Sequence, residues 1–545
     1  MDTANSKTGT TDRMRTTDRK ANTTERKMEG YPIGQQDFSK IRESNCIYVD
    51  KTMYIERILR QKSQYLFLAR PRRFGKSLFL STLRYFFEGR RELFKGLYID
   101  SYAWGWKEYP VLYLDLNPLQ YEETGLLDSH LDNCFQIWED RYGVEFHSDN
   151  LSIRFRNIIA AAHKKTGREV VILIDEYDKP LVGNLNDEGL FGHYRTRLSS
   201  IYSNLKSSAE HIKLAFLTGV SRFSKLSVFS DLNNLNDITF DDEYADICGI
   251  TEQQLFDYFT EGIRKLAETE DVSYEEACGL LKVNYDGYRF ARNGSDIYNP
   301  WSVLCCMEKS RIGSYWSATG IPKLIAESLL LSEADLEENL NAECDLDTLQ
   351  GLDLKSPDSL ALLYQTGYLT IKSYDKETQL YRLGLPNKEV SNGLFKFLLP
   401  LYISTAGIKP EIVVSDIIKH MRRGEPQKMM ESIDVFLAGI PYDMKMEDEN
   451  NFHNALYILL KLIGAQVDTE VRTSDGRIDL VVQTSRFIYI IELKFDSDPQ
   501  TAIRQIEEKQ YALPYLRDTR RIFCIGANFN PVTRRLDAPE ITEWP

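Results

Sequence analysis

The sequence contains no long hydrophobic run and no regular cysteine spacing. No segment approaches the ~20 consecutive apolar residues that a membrane-spanning helix requires. The 8 cysteines are scattered, and the one close pair, Cys305 and Cys306, lacks the spacing of a zinc half-site. These absences argue against a membrane protein and against a zinc-finger protein. They favour reduced thiols, and therefore a cytoplasmic location.

Positive charge is also scarce, since 67 Lys and Arg residues stand against 81 Asp and Glu residues, a net charge of -14. This balance argues against a protein that coats polyanions through its overall charge, but it does not exclude a local nucleic-acid cleft. Residues 1–28 contain no apolar stretch, which excludes a secretory signal there. Their composition predicts a disordered tail.

The remaining chain is long enough for two or three domains. Between 29 and 250, short apolar runs alternate with helical patterns at 77–87 and 151–162. Continuous apolarity over 4–8 residues suits strands buried on both faces, so we expect a parallel sheet flanked by helices. The runs lie at 65–69, 111–114, 170–174 and 212–217.

Two further regions follow. The pattern of residues 251–430 predicts a mostly helical middle region, which begins with a helix capped at Thr251. This region contains no motif that assigns chemistry. Residues 431–545 predict a separate α/β domain: a helix at 449–462, strands at 466–472, 478–483 and 487–493, a helix at 502–513 and a strand at 521–525.

A phosphate-binding motif, Phe74-Gly75-Lys76-Ser77, falls between a buried strand and a helix, as a P-loop (Walker A) requires. Backbone N–H groups at a helix start favour anionic oxygens. Lys76 would neutralise the β- and γ-phosphates of ATP, and the Ser77 hydroxyl would ligate Mg²⁺. The predicted nucleotide-binding residues of this loop are Arg72, Arg73, Phe74, Gly75, Lys76 and Ser77.

The motif departs from the usual pattern at Arg70, where a glycine is expected. Pro71 should stiffen the loop, and Arg70, Arg72 and Arg73 should line it, which would strengthen anion binding but leaves hydrolysis open. The alternative interpretation is a basic strand-to-helix turn that binds nothing.

A second motif favours the nucleotide interpretation. The apolar run 170–174 ends in Asp175 and Glu176. Asp175 would hold Mg²⁺ through water, and Glu176 would polarise the attacking water as the catalytic carboxylate. Thr218, at the tip of a further strand, is the predicted γ-phosphate sensor. Arg222 would either reach phosphates or form a structural salt bridge.

Near the C-terminus, two predicted strands follow each other. The first carries Asp479, and the second carries Glu492 and Lys494. Alternate strand residues share a face, so Glu492 and Lys494 should project beside Ile488 and Ile490. If the two strands form a hairpin, Asp479 meets Glu492 across the ladder.

Two converging carboxylates repel each other unless a cation lies between them, and Mg²⁺ suits such a pair. Lys494 would then orient water or stabilise a phosphorane, which predicts a nuclease site. Glu449 is a candidate extra ligand, and Gln505 should lie on the following helix with Lys509 and Tyr511. Ordinary cross-strand ion pairs are the alternative.

These residues belong to blocks that resemble a bacterial family of AAA-like ATPases, members of which commonly end in a PD-(D/E)XK nuclease-superfamily domain. The blocks include Tyr31-Pro-Ile-Gly34, Tyr48-Val-Asp-Lys-Thr52, Arg70 to Ser77, Ile174-Asp-Glu-Tyr-Asp-Lys-Pro180, Tyr285-Asp-Gly-Tyr-Arg-Phe290, Tyr298-Asn-Pro-Trp301 and Tyr364-Gln-Thr-Gly-Tyr368.

The resemblance implies a P-loop NTPase sheet and a C-terminal restriction-endonuclease-like α/β fold. It implies ATP and Mg²⁺ at Lys76, Ser77 and Asp175. It also implies a nuclease-type site in which Asp479 and Glu492 hold the metal, Lys494 is catalytic and Gln505 assists.

The sequence thus predicts an ATPase coupled to a metal-dependent nuclease acting on DNA or RNA. Alternatives are a regulatory ATPase whose nuclease-like domain only binds nucleic acid or protein, a nuclease with a structural nucleotide, and a switch that forms homo-oligomers on ATP.

Overall fold

The structure is a computed structural model that describes residues 30–102, 104–146, 148–184, 187–222, 234–317, 325, 329, 336–351, 359–402, 409–439, 449–466, 472–474, 477–515 and 517–544. Only the backbone is described for 410, 449–453, 465–466, 472–474 and 477–479. The predicted tail at 1–28 lies outside the described residues.

The described helices, short 3-10 turns aside, are α1 (Phe38–Glu43), α2 (Met53–Arg60), α3 (Lys76–Phe87), α4 (Gly125–Tyr142), α5 (Leu151–Thr166), α6 (Lys179–Val182), α7 (Glu188–Ser207), α8 (Glu252–Glu270), α9 (Tyr274–Tyr285), α10 (Pro300–Lys309), α11 (Leu336–Leu340), α12 (Leu346–Gln350), α13 (Ser359–Thr366), α14 (Lys388–Tyr402), α15 (Pro410–Arg423), α16 (Pro426–Ala438), α17 (Glu449–Gln466) and α18 (Pro499–Glu508).

The strands are β1 (Tyr65–Ala69), β2 (Val111–Asp115), β3 (Val170–Asp175), β4 (Ile212–Gly219), β5 (Asn236–Asp237), β6 (Glu343–Cys344), β7 (Thr370–Tyr374), β8 (Tyr381–Gly384), β9 (Arg472–Ser474), β10 (Arg477–Gln483), β11 (Phe487–Phe495), β12 (Arg521–Asn530), β13 (Arg535–Leu536) and β14 (Glu540–Trp544).

The first sheet is parallel, in the order β2-β3-β4-β1-β5, and is flanked by helices as predicted. The four apolar runs of the sequence are β1 to β4, and β1 and β3 are buried along their whole length. Because β4 lies between β1 and β3, the carboxyl ends of these three strands meet side by side at one edge. That edge is where a parallel sheet binds ligands.

The middle region is mostly helical, as predicted, and α8 begins with the predicted capping box at Thr251. The region also contains a small antiparallel sheet in the order β6-β8-β7. The sequence pattern did not predict this sheet, because its strands have only 2, 5 and 4 residues.

The last sheet is mixed, with the order β13-β12-β11-β10-β9 and β14 beside β12. The predicted hairpin of β10 and β11 is confirmed, and Asp479 lies opposite Glu492 in its register. Strand β12 runs parallel to β11, and α18 connects the two.

Two predicted elements of this domain are corrected. The predicted strand at 466–472 is helix at Gln466 and strand only from Arg472, and the residues between are outside the described part. Helix α18 begins at Pro499, because Asp498 caps it, and ends at Glu508. Lys509 and Tyr511 therefore lie beyond the helix.

A continuous core of buried side chains extends from Phe38 in α1 to Phe529 in β12. It includes residues of all three sheets, so the sheets are joined through packed helices. No helix within the described ranges is long and apolar enough to cross a bilayer. The domain boundaries after 250 and 430 stay predictions.

Candidate functional site

The phosphate loop joins β1 to α3. Gly75 caps α3 with φ at 97°, a left-handed conformation that costs glycine least. The loop carbonyl groups of Arg72 and Phe74 accept hydrogen bonds from outside the loop, from Trp316 Nε1 at 3.1 Å and from the Gly249 amide at 3.2 Å. Gly75 lets the chain turn directly into α3, the helix whose first N–H groups would bind phosphate.

Lys76 lies at the centre of this loop. Its ammonium donates to the carbonyl oxygens of Arg70 at 3.0 Å and Pro71 at 3.2 Å, and it lies 3.6 Å from Glu176 Oε1. The residue is only 4% exposed. A buried cation is thereby held beside the catalytic candidate Glu176.

Asp175 ends β3 and is buried. Its Oδ1 accepts a hydrogen bond from the Thr218 hydroxyl at 2.7 Å. Burial raises the pKa of Asp175, whereas hydrogen bonds from Ser77 and Thr218 act to lower it. Ser77, the acid of β3 and the tip of β4, which three separate motifs of the sequence had singled out, therefore meet at one place.

Glu176 has φ at 52°, which is costly for a residue with a Cβ. This conformation turns the chain sharply after β3 and accompanies the approach of the Glu176 carboxylate to Lys76. The two consecutive acids therefore have different surroundings: Asp175 contacts hydroxyl groups, and Glu176 faces the ammonium.

A further acid at this edge, Asp115, was missed by the sequence reasoning. It ends β2 directly opposite Asp175. Burial raises its pKa, and the charges of Asp175 and Glu176 add to the rise. The signal was present in the sequence, because Asp115 follows an apolar run just as Asp175 does.

Arg70 does not line the loop, and the prediction that it strengthens anion binding there is wrong. The side chain is buried, its guanidinium donates to the carbonyls of Ala69, Thr239 and Tyr244, and it stacks on Phe290. Arg70 replaces the first P-loop glycine as an anchor between β1 and the segment after β5. Arg222 forms a salt bridge with Asp237, which is one of the two roles that the sequence left open for it.

The other predicted loop residues contact the middle region. Arg72 is exposed. The guanidinium of Arg73 lies 3.6 Å from the centre of the Trp301 ring. Phe74 is buried edge-on against Tyr288 and Phe290, so only its backbone could face a phosphate.

An apolar cavity of about 80 Å³ opens beside Gly75 and the first turn of α3. Its walls come from the family blocks near Tyr48 and Pro300 and from the 247–250 segment. Lys51 lies at its edge, and burial lowers the pKa of Lys51 to about 8. A flat apolar ring attached to phosphates in the loop would be within reach of this cavity.

The C-terminal cluster lies on the face of β11 that also carries Ile488 and Ile490, as predicted. Lys494 Nζ is 2.6 Å from Glu492 Oε1 and 2.6 Å from Gln505 Oε1. Glu492 is 1% exposed. Strand β11 and helix α18 thus bring three predicted residues together.

Asp479 and Glu449 are described by backbone alone, so their side chains lie outside the described residues. The backbone places Asp479 opposite Glu492 on the neighbouring strand. Glu449 is the first residue of α17. Their predicted roles as metal ligands stay predictions.

Both sites offer oxygen ligands of the kind that Mg²⁺ prefers. At the loop these are the Ser77 hydroxyl and Asp175. At the second site, Glu492 Oε2 and Gln505 Nε2 are both buried, and neither has a hydrogen-bond partner among the described residues. The side chains that the structure describes contain no group of three or more His, Cys, Asp or Glu ligands, so Asp479 would have to complete the second site.

The family comparisons match both parts of the chain. A model described as a predicted AAA-ATPase matches residues 32–229, and one described as the PD-(D/E)XK nuclease superfamily matches residues 447–538. The ranges contain the phosphate loop and the Glu492 cluster respectively.

A relative in Azotobacter chroococcum mcd 1, described as an uncharacterized protein in the vnfD 5' region, is 32% identical over 520 residues. The match covers 92% of this chain and 97% of the relative, so the similarity extends over nearly the full length of both chains. The chain therefore belongs to the family that combines an AAA-ATPase-like domain with a C-terminal PD-(D/E)XK nuclease superfamily domain.

Proposed function

We propose that the protein is a hydrolase that binds and hydrolyses ATP at the phosphate loop and thereby controls a metal-dependent nuclease site in its C-terminal domain. The observation that carries this proposal is the contact of Ser77, Asp175 and Thr218 beside Lys76. In P-loop NTPases, groups of these kinds position Mg²⁺ and the terminal phosphates of the nucleotide.

The roles at the loop follow from the surroundings of each side chain. Lys76 would exchange its carbonyl partners for β- and γ-phosphate oxygens, which bind an ammonium more strongly because they are charged. Ser77 and Asp175 would hold Mg²⁺, and Glu176 would orient the attacking water. The apolar cavity beside Gly75 would receive the adenine ring.

The roles at the second site follow from burial. Glu492 and Asp479 would hold a divalent metal, and Glu492 Oε2 offers an acceptor without a partner among the described atoms. The metal would supply an activated water for phosphodiester cleavage. Lys494, kept in place by Gln505, would stabilise the charge that develops on the phosphate.

Coupling between the sites is supported by continuous contact. The phosphate loop touches Trp301 and Trp316 of the middle region. The last sheet packs on α15 and α16, at the end of that region, and on α17. A change at the loop therefore has a packed path to the nuclease-like sheet.

The test is cleavage of plasmid, single-stranded DNA and RNA by the full chain, with Mg²⁺ or Mn²⁺, with and without ATP. We expect Glu492→Gln and Lys494→Ala to reduce cleavage by about 100-fold or more. Lys509→Ala, which changes an exposed lysine just beyond α18, is the matched control and should cut normally. Lys76→Ala should abolish ATP turnover and the response of cleavage to ATP.

Each part of the proposal can fail separately. ATP turnover without any cleavage would leave a regulatory ATPase whose nuclease-like domain binds nucleic acid or protein. Cleavage that ignores both ATP and Lys76→Ala would refute the coupling. Thermal unfolding of every variant distinguishes loss of chemistry from loss of fold.

A further inference from the structure

A second cavity, of about 500 Å³, lies between the small sheet of the middle region and helix α17, and none of its lining residues belongs to either site described above. Its walls come from the end of α11, strands β7 and β8 and helix α17. Lys372, Arg382 and Lys461 line it, and none of the described lining residues is acidic. In a chain with a net charge of -14, three cations around one cavity are a marked local reversal of charge.

Lys372 is held in this wall by the backbone around it. A Cβ atom on Gly384 would lie 3.0 Å from Lys372 Cγ, so glycine leaves the space through which the lysine stem passes. The Lys372 ammonium donates to the Pro386 carbonyl at 3.2 Å. Burial lowers the pKa of Lys372, although Asp296 and Asp286 oppose that effect.

Lys461 reaches the cavity from α17. Its ammonium lies 4.9 Å from the centre of the Tyr457 ring, which also lines the wall. Burial lowers the pKa of Lys461, and Glu337 is the carboxylate that opposes the effect. Across the sheet, Glu343 is opposite Arg382 in the ladder. The described residues nevertheless place no carboxylate in salt-bridge contact with Lys372, Arg382 or Lys461.

These features define the chemistry of an occupant. A cavity lined by three cations and by no described carboxylate has a positive potential, which attracts a multiply charged anion. The cavity has the volume of a small-molecule site. Leu340, Leu383, Leu385 and the Tyr457 ring add an apolar wall suited to a flat ring.

We propose that this cavity binds a small phosphate-bearing molecule of nucleotide size, at a site separate from the phosphate loop. Lys372, Arg382 and Lys461 bind its phosphate oxygens, and Tyr457 packs against its apolar part. Helix α17 itself belongs to the nuclease-like domain, and its Leu460 and Ile463 line an apolar cavity together with Ile491 of β11, so binding at Lys461 would act directly on that domain.

The test uses the full chain with Lys76→Ala, so that the phosphate loop no longer binds nucleotide. Inorganic pyrophosphate and ATP are titrated by calorimetry, and thermal unfolding is followed in parallel. We expect one remaining binding site for a phosphate ligand, and a rise in Tm on adding it. Lys372→Met and Lys461→Met, added singly, should each weaken binding by about tenfold or more.

Methionine keeps the apolar stem of either lysine and removes only its charge, so these variants should fold. Lys376→Met is the matched control, because Lys376 is an exposed lysine in the turn of the same hairpin, and its affinity should not change. Absence of binding by both probes at millimolar concentration overturns the proposal. Equal affinity in the Lys76→Ala protein and in all three variants made from it also overturns the proposal. So does binding of a single-stranded oligonucleotide but of neither probe, which would assign the cavity to a nucleic-acid backbone.

Discussion

Asp178 is a fully buried carboxylate behind the candidate nucleotide site. It accepts hydrogen bonds from the amides of Val220 at 3.1 Å and Ser221 at 2.6 Å, and so fastens the chain after β3 to the chain after β4. Burial and the charge of Glu176 raise the pKa of Asp178 to about 7, while Lys76 acts to lower it. Tyr202 also faces it.

This shift predicts a pH-dependent stability. The folded pKa is higher than the ordinary value of 3.8, so the folded state binds the proton more tightly. The resulting stability is present below about pH 4 and is lost as the pH rises through about 7. Asp178→Asn keeps an acceptor but cannot ionise, so the variant does not lose this stability. Its free energy of unfolding should therefore rise relative to that of the wild type as the pH increases from about 4 to about 7. Urea unfolding at four pH values measures the difference, and a constant difference contradicts the assignment.

At the scale of elements, the phosphate loop rests on the end of α13. Gly367 follows that helix with φ at 91°, and a Cβ atom there would lie 2.7 Å from Pro71 Cβ. Gln365 in the same turn accepts the Arg222 amide at 2.8 Å. The family block Tyr364-Gln-Thr-Gly-Tyr368, which had no assigned chemistry, therefore supports the back of the loop.

Gly367→Ala should weaken ATP binding by about tenfold although it alters no group that would contact the nucleotide, because the methyl group displaces Pro71. Gly143→Ala is the matched control, since Gly143 also has positive φ, at 71°, and a Cβ atom there has open space. Both variants incur backbone strain, but only Gly367→Ala should change the dissociation constant measured by fluorescent-nucleotide titration. Equal affinities would mean that the loop holds its shape without α13.

At the scale of the whole molecule, the nuclease-like sheet depends on helices outside its family match. Phe487 packs closely on Gly424, where a Cβ atom would lie 2.4 Å from the ring. The Tyr489 hydroxyl donates to the Met421 carbonyl at 2.7 Å. Arg535 and the Leu536 amide both bind Asp434.

We therefore expect residues 447–545 alone to expose a large apolar face and to aggregate. A fragment of 387–545 retains α14 to α17 and should be soluble and unfold cooperatively. Circular dichroism melting and dye binding to exposed apolar surface compare the two. Cooperative melting of the shorter fragment would show that the sheet folds without α15 and α16.

Much of the local structure could be predicted from residue order. The buried strands were found because Val, Leu and Ile occupy consecutive positions in β1 to β4. The start of α8 was found because Thr251 and Gln254 cap each other. The short strands β6 and β8 carry too few residues to produce a periodic signal, so they were missed.

The candidate site divides in the same way. Ser77, Asp175 and Thr218 were recognised separately, because each follows or opens a characteristic element. The position of Arg70 could not be predicted, because its carbonyl partners lie about 170 residues further along the chain. The carboxylate of Asp115 was visible in the sequence but gained meaning only from its register with Asp175.

The sequence by itself determined the family, the parallel sheet, the position of the candidate phosphate loop between a strand and a helix, and the residues on one face of β11, because these depend on local order and on the periodicity of strands. Only the tertiary structure decided how the middle region supports the loop, which arginine is an anchor and where cations gather around a cavity. Such features depend on the distances between side chains far apart in the chain, and packing fixes those distances.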